Sequence, residues 1–333
     1  MGKIFRKICL SLVVAAAAAA CRPSGPYIAV TGYAQGGTYT VKMNLKGVSE
    51  RPEIIRERID SLLTLIDTTL SGYNKGSMLS RFNRGDTVVP NAMFREIFEA
   101  AKAYREETDG AVDVASAPLF DAWGFGFSRD SMPSDETVRY LLETCSIDLV
   151  PEDLSTSGGQ RLNYNAIAQG YSCDVIAAYL YSLGIRDMLV DIGEIYCDGV
   201  NPSGRPWILA VDKPVDGNND PGTLIQGKWQ SDGGPCGIVT SGNYRKFYIR
   251  DGRKYAHTVD PRTGRPVEHN LLSATVKAPT AMDADAYATY CMVIGLEESK
   301  AFLASRPELE GYLIYEENGL MQAWASEGFN LTD

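Results

Sequence analysis

Apolar and polar residues alternate from Thr38 to Leu45, which places Tyr39, Val41, Met43 and Leu45 on one face of a strand. After Pro52 the period lengthens. Ile55, Ile59, Leu62, Ile66 and Leu70 recur at helical spacing, and Pro52 stands where a helix can begin without needing its missing N–H. A second helix is predicted over about residues 92–108. It buries Phe94, Phe98, Ala101 and Tyr104 and stops at Gly110. Residues 110–127 follow no regular period, 134–145 read as a short helix, and 147–164 read as strand-like with turns. Residues 163–170 then join a strand to a helix running to about Leu183. Short apolar runs at 188–192, 196–199 and 206–212 predict strands, with a polar loop over 213–222. Ile238-Val239-Thr240 runs as a strand into Ser241-Gly242-Asn243-Tyr244-Arg245, and Phe247–Arg250 turns back at Asp251-Gly252 as a hairpin. A strand over 272–276, helices from Thr280 to Gly295 and beyond, and a last hairpin turning at Asn318-Gly319 complete the chain. Hairpins mixed with late helices predict an α+β fold of mixed or antiparallel sheets with packed helices, rather than a doubly wound sheet.

The first residues carry a different pattern. Lys3, Arg6 and Lys7 precede an apolar run, Ile8–Ala20, too short to span a bilayer, and Ala18-Ala19-Ala20 stand before Cys21. This order resembles a bacterial lipoprotein signal. It implies a signal peptide over 1–20, a lipidated Cys21 with a tether over 21–37, and a folded domain over 38–333. The lipid would hold the domain at the cell membrane, facing the periplasm or the cell exterior.

Composition narrows the partners. The formal net charge is −10, and because residues 1–20 carry three positive and no acidic side chains, the remainder stands near −13. That argues against nucleic acid, and an anionic substrate then needs a local positive site or a metal. Beyond Cys9 and Cys21 the cysteines are Cys145, Cys173, Cys197, Cys236 and Cys291. They are widely spaced with no Cys-x-x-Cys, so zinc or a disulfide framework is not expected, and no single pairing can be read from spacing.

Two stretches carry candidate chemistry. His257, one of two histidines, sits in Tyr255-Ala256-His257-Thr258-Val259-Asp260-Pro261-Arg262-Thr263-Gly264-Arg265, at the end of a strand and before a tight turn. Its imidazole suits a general base, or it simply bonds the turn below it. Asp285 and Thr289 are four apart on the helix after Thr280 and face the same way. A carboxylate and a hydroxyl so placed suit a hard cation such as Mg²⁺, or Asp283 caps the helix and Thr289 is an ordinary helical residue. Trp123-Gly124-Phe125-Gly126-Phe127 and the small residues Ala115-Ser116-Ala117 fit close approach to a flat ligand or a packed loop. Asn163-Tyr164-Asn165-Ala166-Ile167-Ala168-Gln169-Gly170, before a helix, fits a phosphate site or a plain connection.

Taken in order, these stretches resemble the ApbE family, the FAD:protein FMN transferases. Gly37-Thr38-Tyr39-Thr40-Val41, the Ser71-Gly72-Tyr73 and Ser80-Arg81-Phe82-Asn83 pieces, Val112-Asp113-Val114, Trp123-Gly124-Phe125-Gly126, Ala166-Ile167-Ala168-Gln169-Gly170-Tyr171, Thr240-Ser241-Gly242-Asn243, the His257 stretch and Ala284-Asp285-Ala286 follow the family's order from about Gly37 to Ala325. The resemblance implies an ApbE-like, T-fold-like single domain of two lobes. It implies Mg²⁺-dependent transfer of FMN from FAD to a threonine or serine hydroxyl of another protein, with release of AMP. The acceptors would be flavin-bearing subunits of membrane redox complexes, of the Rnf or Na⁺-pumping NADH:quinone reductase type. By the same resemblance Ala166 (through its carbonyl), Asp285 and Thr289 would hold Mg²⁺. His257 would deprotonate the acceptor, and Asp260 would orient His257 or help with metal. Met43, Tyr73, Ala115, Ser116, Ala117, Trp123, Asn163, Ser241 and His257 would line the FAD pocket. The chain departs from the pattern at Asn163, where the family usually has Asp, at Gln169, and at Gly193-Glu194 in place of Gly-Gly. An FAD pyrophosphatase and a non-catalytic flavin-binding lipoprotein are the alternatives.

Overall fold

The computed structural model describes residues 26–126, 132–215, 217–218, 222–244, 247–250 and 253–332. The expected signal segment and Cys21, Phe127 and residues 251–252 lie outside the described residues. The frame is one eight-stranded sheet. Its strands in spatial order are β1 (Tyr27–Ala34), β2 (Gly37–Asn44), β3 (Met188–Asp191), β4 (Ile195–Asp198), β7 (Cys236–Gly242), β12 (Leu271–Ala278), β13 (Glu310–Glu317) and β14 (Leu320–Ala325). Every neighbouring pair is antiparallel, so the open choice between mixed and antiparallel resolves to antiparallel. A second sheet of β5 (Ile208–Asp212), β6 (Ile225–Gln230) and β15 (Leu331–Thr332) packs on it, and short hairpins β8 (Phe247–Arg250) with β9 (Arg253–Ala256) and β10 (Val259–Asp260) with β11 (Arg265–Pro266) flank His257.

Eight helices lie among the described residues: α1 (Pro52–Leu70), α2 (Met78–Asn83), α3 (Ala92–Glu107), α4 (Ala117–Ala122), α5 (Asp135–Thr144), α6 (Ala168–Ser182), α7 (Ala281–Ile294) and α8 (Leu296–Ser305). The α1 stripe buries Ile55, Ile59, Leu63, Ile66 and Leu70 as its periodicity predicts, with Leu63 taking the place expected for Leu62. None of these helices is long and apolar enough to cross a membrane. One face of the eight-stranded sheet and most of the helices share the main core. The second sheet covers Leu189, Cys197, Cys236 and Ile238 with Trp207, Leu209, Val211, Trp229 and Phe329. A small third cluster joins Leu119, Trp123, Val138 and Val259.

Four expectations are corrected. Residues 27–34, read as tether, form β1 and pair with β2 from Tyr27↔Asn44 to Ala34↔Gly37. Only Val30 of that strand is buried, so edge pairing forms it without a visible apolar pattern. Residues 147–164 hold no strand; Ile147, Val150, Leu154, Leu162 and Tyr164 are buried, but the backbone turns back on itself, as in Leu154 N to Pro151 O and Gln160 N to Ser157 O. No strand feeds α6 either: a turn does, in which Ile167 and Ala168 N–H both donate to Tyr164 O. Residues 114–122, read as irregular, form a 3₁₀ turn and α4, with Pro118 in the first turn where it costs no hydrogen bond. The strands β6 and β15 were not legible because the inward positions of β6 are Gly227 and Trp229, and glycine hides the alternation.

The N-terminus of α7 is wedged between α6 and β7 at two glycines. A Cβ on Gly170 would stand 2.2 Å from Ala281 O, and one on Gly237 would stand 2.3 Å from Ala281 Cα. Backbone on both sides leaves nothing to yield. Gly170→Ala is therefore expected to cost about 2 kcal/mol or more. Thermal melting measures it, and an unchanged midpoint would mean that α7 slides freely.

Candidate active site

That wedge sets the site. α6 starts without a side-chain cap of its own. Asp285, from the first turns of α7, fills the role by accepting the Gly170 N–H at 3.1 Å. Asp174 of α6 returns the arrangement, accepting Ala281 N–H and Met282 N–H at 2.9 Å each. The two helices thus cap each other with carboxylates, which their N-terminal dipoles favour. Asp283 is committed elsewhere: it bonds Thr280 in a helix-start cap and accepts Tyr104 OH at 2.6 Å. The capping reading of Asp283 therefore holds, and it leaves Asp285 free for a different role.

Asp285 is 4 % exposed. Burial, with Asp174 nearby, pushes its carboxyl up to about 7, against a single opposing N–H from Gly170. Burial also raises Asp174 to about 6. Both folded values lie above the unfolded one, so the stability these groups supply is complete at acid pH and is lost as pH rises towards 7. The metal-free protein is thus expected to melt several degrees higher at pH 5 than at pH 8, and Asp285→Asn should flatten that slope; an equal slope in the variant would remove Asp285 as its source.

A buried carboxyl in this condition takes either a proton or a cation. Thr289 is half-buried one turn further along α7, on the same face as Asp285. Ala166 lies, half-buried, in the turn that opens α6, four residues before the Gly170 that Asp285 touches. No three His, Cys, Asp or Glu side chains gather as a metal site among the described residues. The expected set of one carboxylate, one hydroxyl and one carbonyl is not of that kind. It is all oxygen, and with the uncompensated charge of Asp285 it fits a hard divalent cation.

The other expected residues divide. Tyr73 is 65 % exposed, and Asn165 Nδ2 donates to its hydroxyl at 3.4 Å. Asn163 N–H donates to Val114 O, and its Oδ1 accepts Asn165 N–H at 2.9 Å. These bonds bring the Tyr73 segment, the Ala166 turn and the Ala115–Ala117 segment together. Ala115, Ser116 and Ala117 are themselves buried, as is Trp123. Trp123 donates from Nε1 to Gly264 O at 2.7 Å and stacks on Tyr255 with ring centroids 6.1 Å apart. It acts here as a strut that fixes the Asp260–Gly264 turn below His257. Gly264, at φ 67°, completes that turn and admits Leu119 and Val138 beside it. Met43 is 0 % exposed within the main core, between Ile28 and Met188.

Ser241 and His257 are both half-buried, on segments joined by the Thr258 hydroxyl donating to Asn243 Oδ1 at 2.6 Å. Asp260 is engaged within its own turn. Its Oδ1 accepts Arg262 N–H and Nε–H at 2.8 and 3.0 Å, and its Oδ2 accepts an Arg262 Nη2–H at 3.0 Å. Asp260 therefore shapes the turn. Asp174, Asn243, Arg262 and the close-packing glycines were missed in the sequence. Asp174 meets Ala281 and Met282 from 107 and 108 positions away, and no spacing marks such a contact.

Known proteins place the chain in a family. The family model described as ApbE family matches residues 35–313. The FAD:protein FMN transferase of Escherichia coli (strain K12) is 33% identical over 296 residues, covering 84% of this chain and 82% of its own. That of Haemophilus influenzae is 30% identical over 341 residues, covering 97% of each. Among solved structures, the flavin transferase ApbE from Vibrio cholerae superposes with a TM-score of 0.76 at 30% identity, over 90% of this chain and 97% of that one. The Pseudomonas stutzeri flavinyl transferase ApbE, in its apo form, gives a TM-score of 0.78 at 31% identity, over 90% and 95%. With a family match across most of its length and relatives of this similarity, the chain belongs to the ApbE family.

Proposed function

We propose that this enzyme transfers FMN from FAD to a threonine or serine hydroxyl of an acceptor protein and needs Mg²⁺ to do so. The observation that supports it most is Asp285: a buried carboxyl raised towards 7, set by mutual helix capping beside the turn that carries Ala166. Asp285, Thr289 and the Ala166 carbonyl would hold the cation, which when bound neutralises the diphosphate of FAD. His257 takes the proton from the acceptor hydroxyl. The freed oxygen bonds to the FMN phosphorus, the bond from that phosphorus to the bridging oxygen breaks, and AMP leaves with the bridging oxygen. Tyr73 is exposed and bonded to Asn165, and both would meet a nucleotide that binds against this turn.

Lipidation at Cys21 would place the enzyme at a membrane, near flavin-accepting subunits of redox complexes. Because β1 begins at Tyr27, the link from Cys21 is six residues, or roughly 20 Å fully extended. The domain would therefore work close to the bilayer surface.

The test mixes the protein with FAD, Mg²⁺ and a flavin-accepting redox subunit from the same genome. A fluorescent, FMN-sized mass increase on that subunit, lost when Mg²⁺ is chelated, is the expected result. Free FMN and AMP without an adduct would instead mark a pyrophosphatase, and intact, tightly bound FAD a carrier.

A further inference from the structure

Two thiols face each other inside the eight-stranded sheet. Cys197 on β4 and Cys236 on β7 are direct cross-strand partners in antiparallel register. They are 0 % and 1 % exposed, and their sulfurs are 3.7 Å apart. The surroundings are apolar, with Leu189, Ile238 and Trp207 in the same cluster. Directly opposed residues on antiparallel strands have Cα atoms roughly 4.5–5.5 Å apart, which falls within the roughly 4.4–6.8 Å that a disulfide spans. Small rotations of the two side chains therefore suffice, with no strand displaced. The pair stands 39 positions apart in sequence, and the chain between carries β5 and β6, so a bond here would tie both ends of that excursion to the main sheet.

We propose that Cys197 and Cys236 form a disulfide as the exported chain folds. The inference rests on export and is independent of flavin transfer. The oxidant is a protein or small-molecule disulfide of the compartment. The thiolate of one cysteine attacks it, forming a mixed disulfide and releasing one thiol. The thiolate of the other then attacks the mixed disulfide, closes the Cys197–Cys236 bond and releases a second thiol. Two cysteine thiols are oxidised, one external disulfide is reduced to two thiols, and the two protons lost from the cysteines end on those thiols. The hydrogen bond with Cys236, together with burial, holds the Cys197 thiol well above the usual thiol range. The closed sheet therefore protects the pair from reagents, and the bond is made before the sheet closes.

The full chain is expressed with its own N-terminus, denatured and alkylated without reductant, and its peptides are mapped by mass. The expected result joins the Cys197 and Cys236 peptides and leaves Cys145, Cys173 and Cys291 alkylated. Separate, alkylated Cys197 and Cys236 would overturn the proposal. Purified protein that has been unfolded in reductant and refolded with reductant present should show a thermal midpoint lower by roughly 5 °C. Cys236→Ala should melt alike with and without reductant, and a shift that persists in this variant would overturn the pairing.

Discussion

His257→Ala is expected to lower FMN transfer by about 10²- to 10⁴-fold, the usual worth of a positioned base, while FAD still binds. The acceptor hydroxyl is a poor nucleophile until it loses its proton, and His257 is half-buried at the end of β9, on a loop held from several sides. Trp123 fixes the Gly264 carbonyl, Asp260 holds Arg262, and Thr258 is bonded to Asn243. None of these bonds uses the His257 ring, so alanine should leave the loop in place. The wild-type rate should fall on the acid side as the base is protonated, and the variant's residual rate should lack that acid limb. Adduct formation against time, with FAD binding measured separately, decides the matter. Transfer at the wild-type rate would remove His257 from the chemistry, and loss of FAD binding would make it a binding residue instead.

Asp285→Ala is expected to reduce transfer at least about 100-fold at ordinary Mg²⁺ and to raise the Mg²⁺ needed for half-maximal rate. Its effect on folding should be small by comparison. The variant gives up the cap on Gly170, worth about 1 kcal/mol, but it also removes a buried carboxyl that near neutrality has lost part of its protons. Activity and stability therefore separate, and that separation distinguishes a ligand from a packing residue. Activity against Mg²⁺ concentration, set beside thermal melting at pH 8, reads both. Full activity at low Mg²⁺ would place the cation elsewhere. A collapse of the melting midpoint to match the lost activity would make Asp285 structural.

Much of this protein was legible in its residues alone. Helical spacing set α1 and α3, start and stop residues set α7, alternation set β2, and turn residues set the last hairpin, because each is a local preference read over one element. The order of the motifs identified the family, since chemistry that needs a base, a carboxylate and small-residue loops leaves those residue types at recognisable places. The pairing of β1 with β2, the second sheet built around Gly227 and Trp229, and the turn structure of 147–164 were decided by the tertiary fold, because the bonds or buried surface that make them are not periodic in sequence. The same holds within the site. Asp285 can be named from its spacing to Thr289, but its raised carboxyl depends on Asp174 and on burial between two helices that meet at Gly170 and Gly237. Only the tertiary structure shows that Met43 lies in the core, that Trp123 donates to Gly264 and that Asp260 holds Arg262. Residue type determines which chemistry a chain can perform; burial and contacts between distant segments decide which copy of that residue performs it.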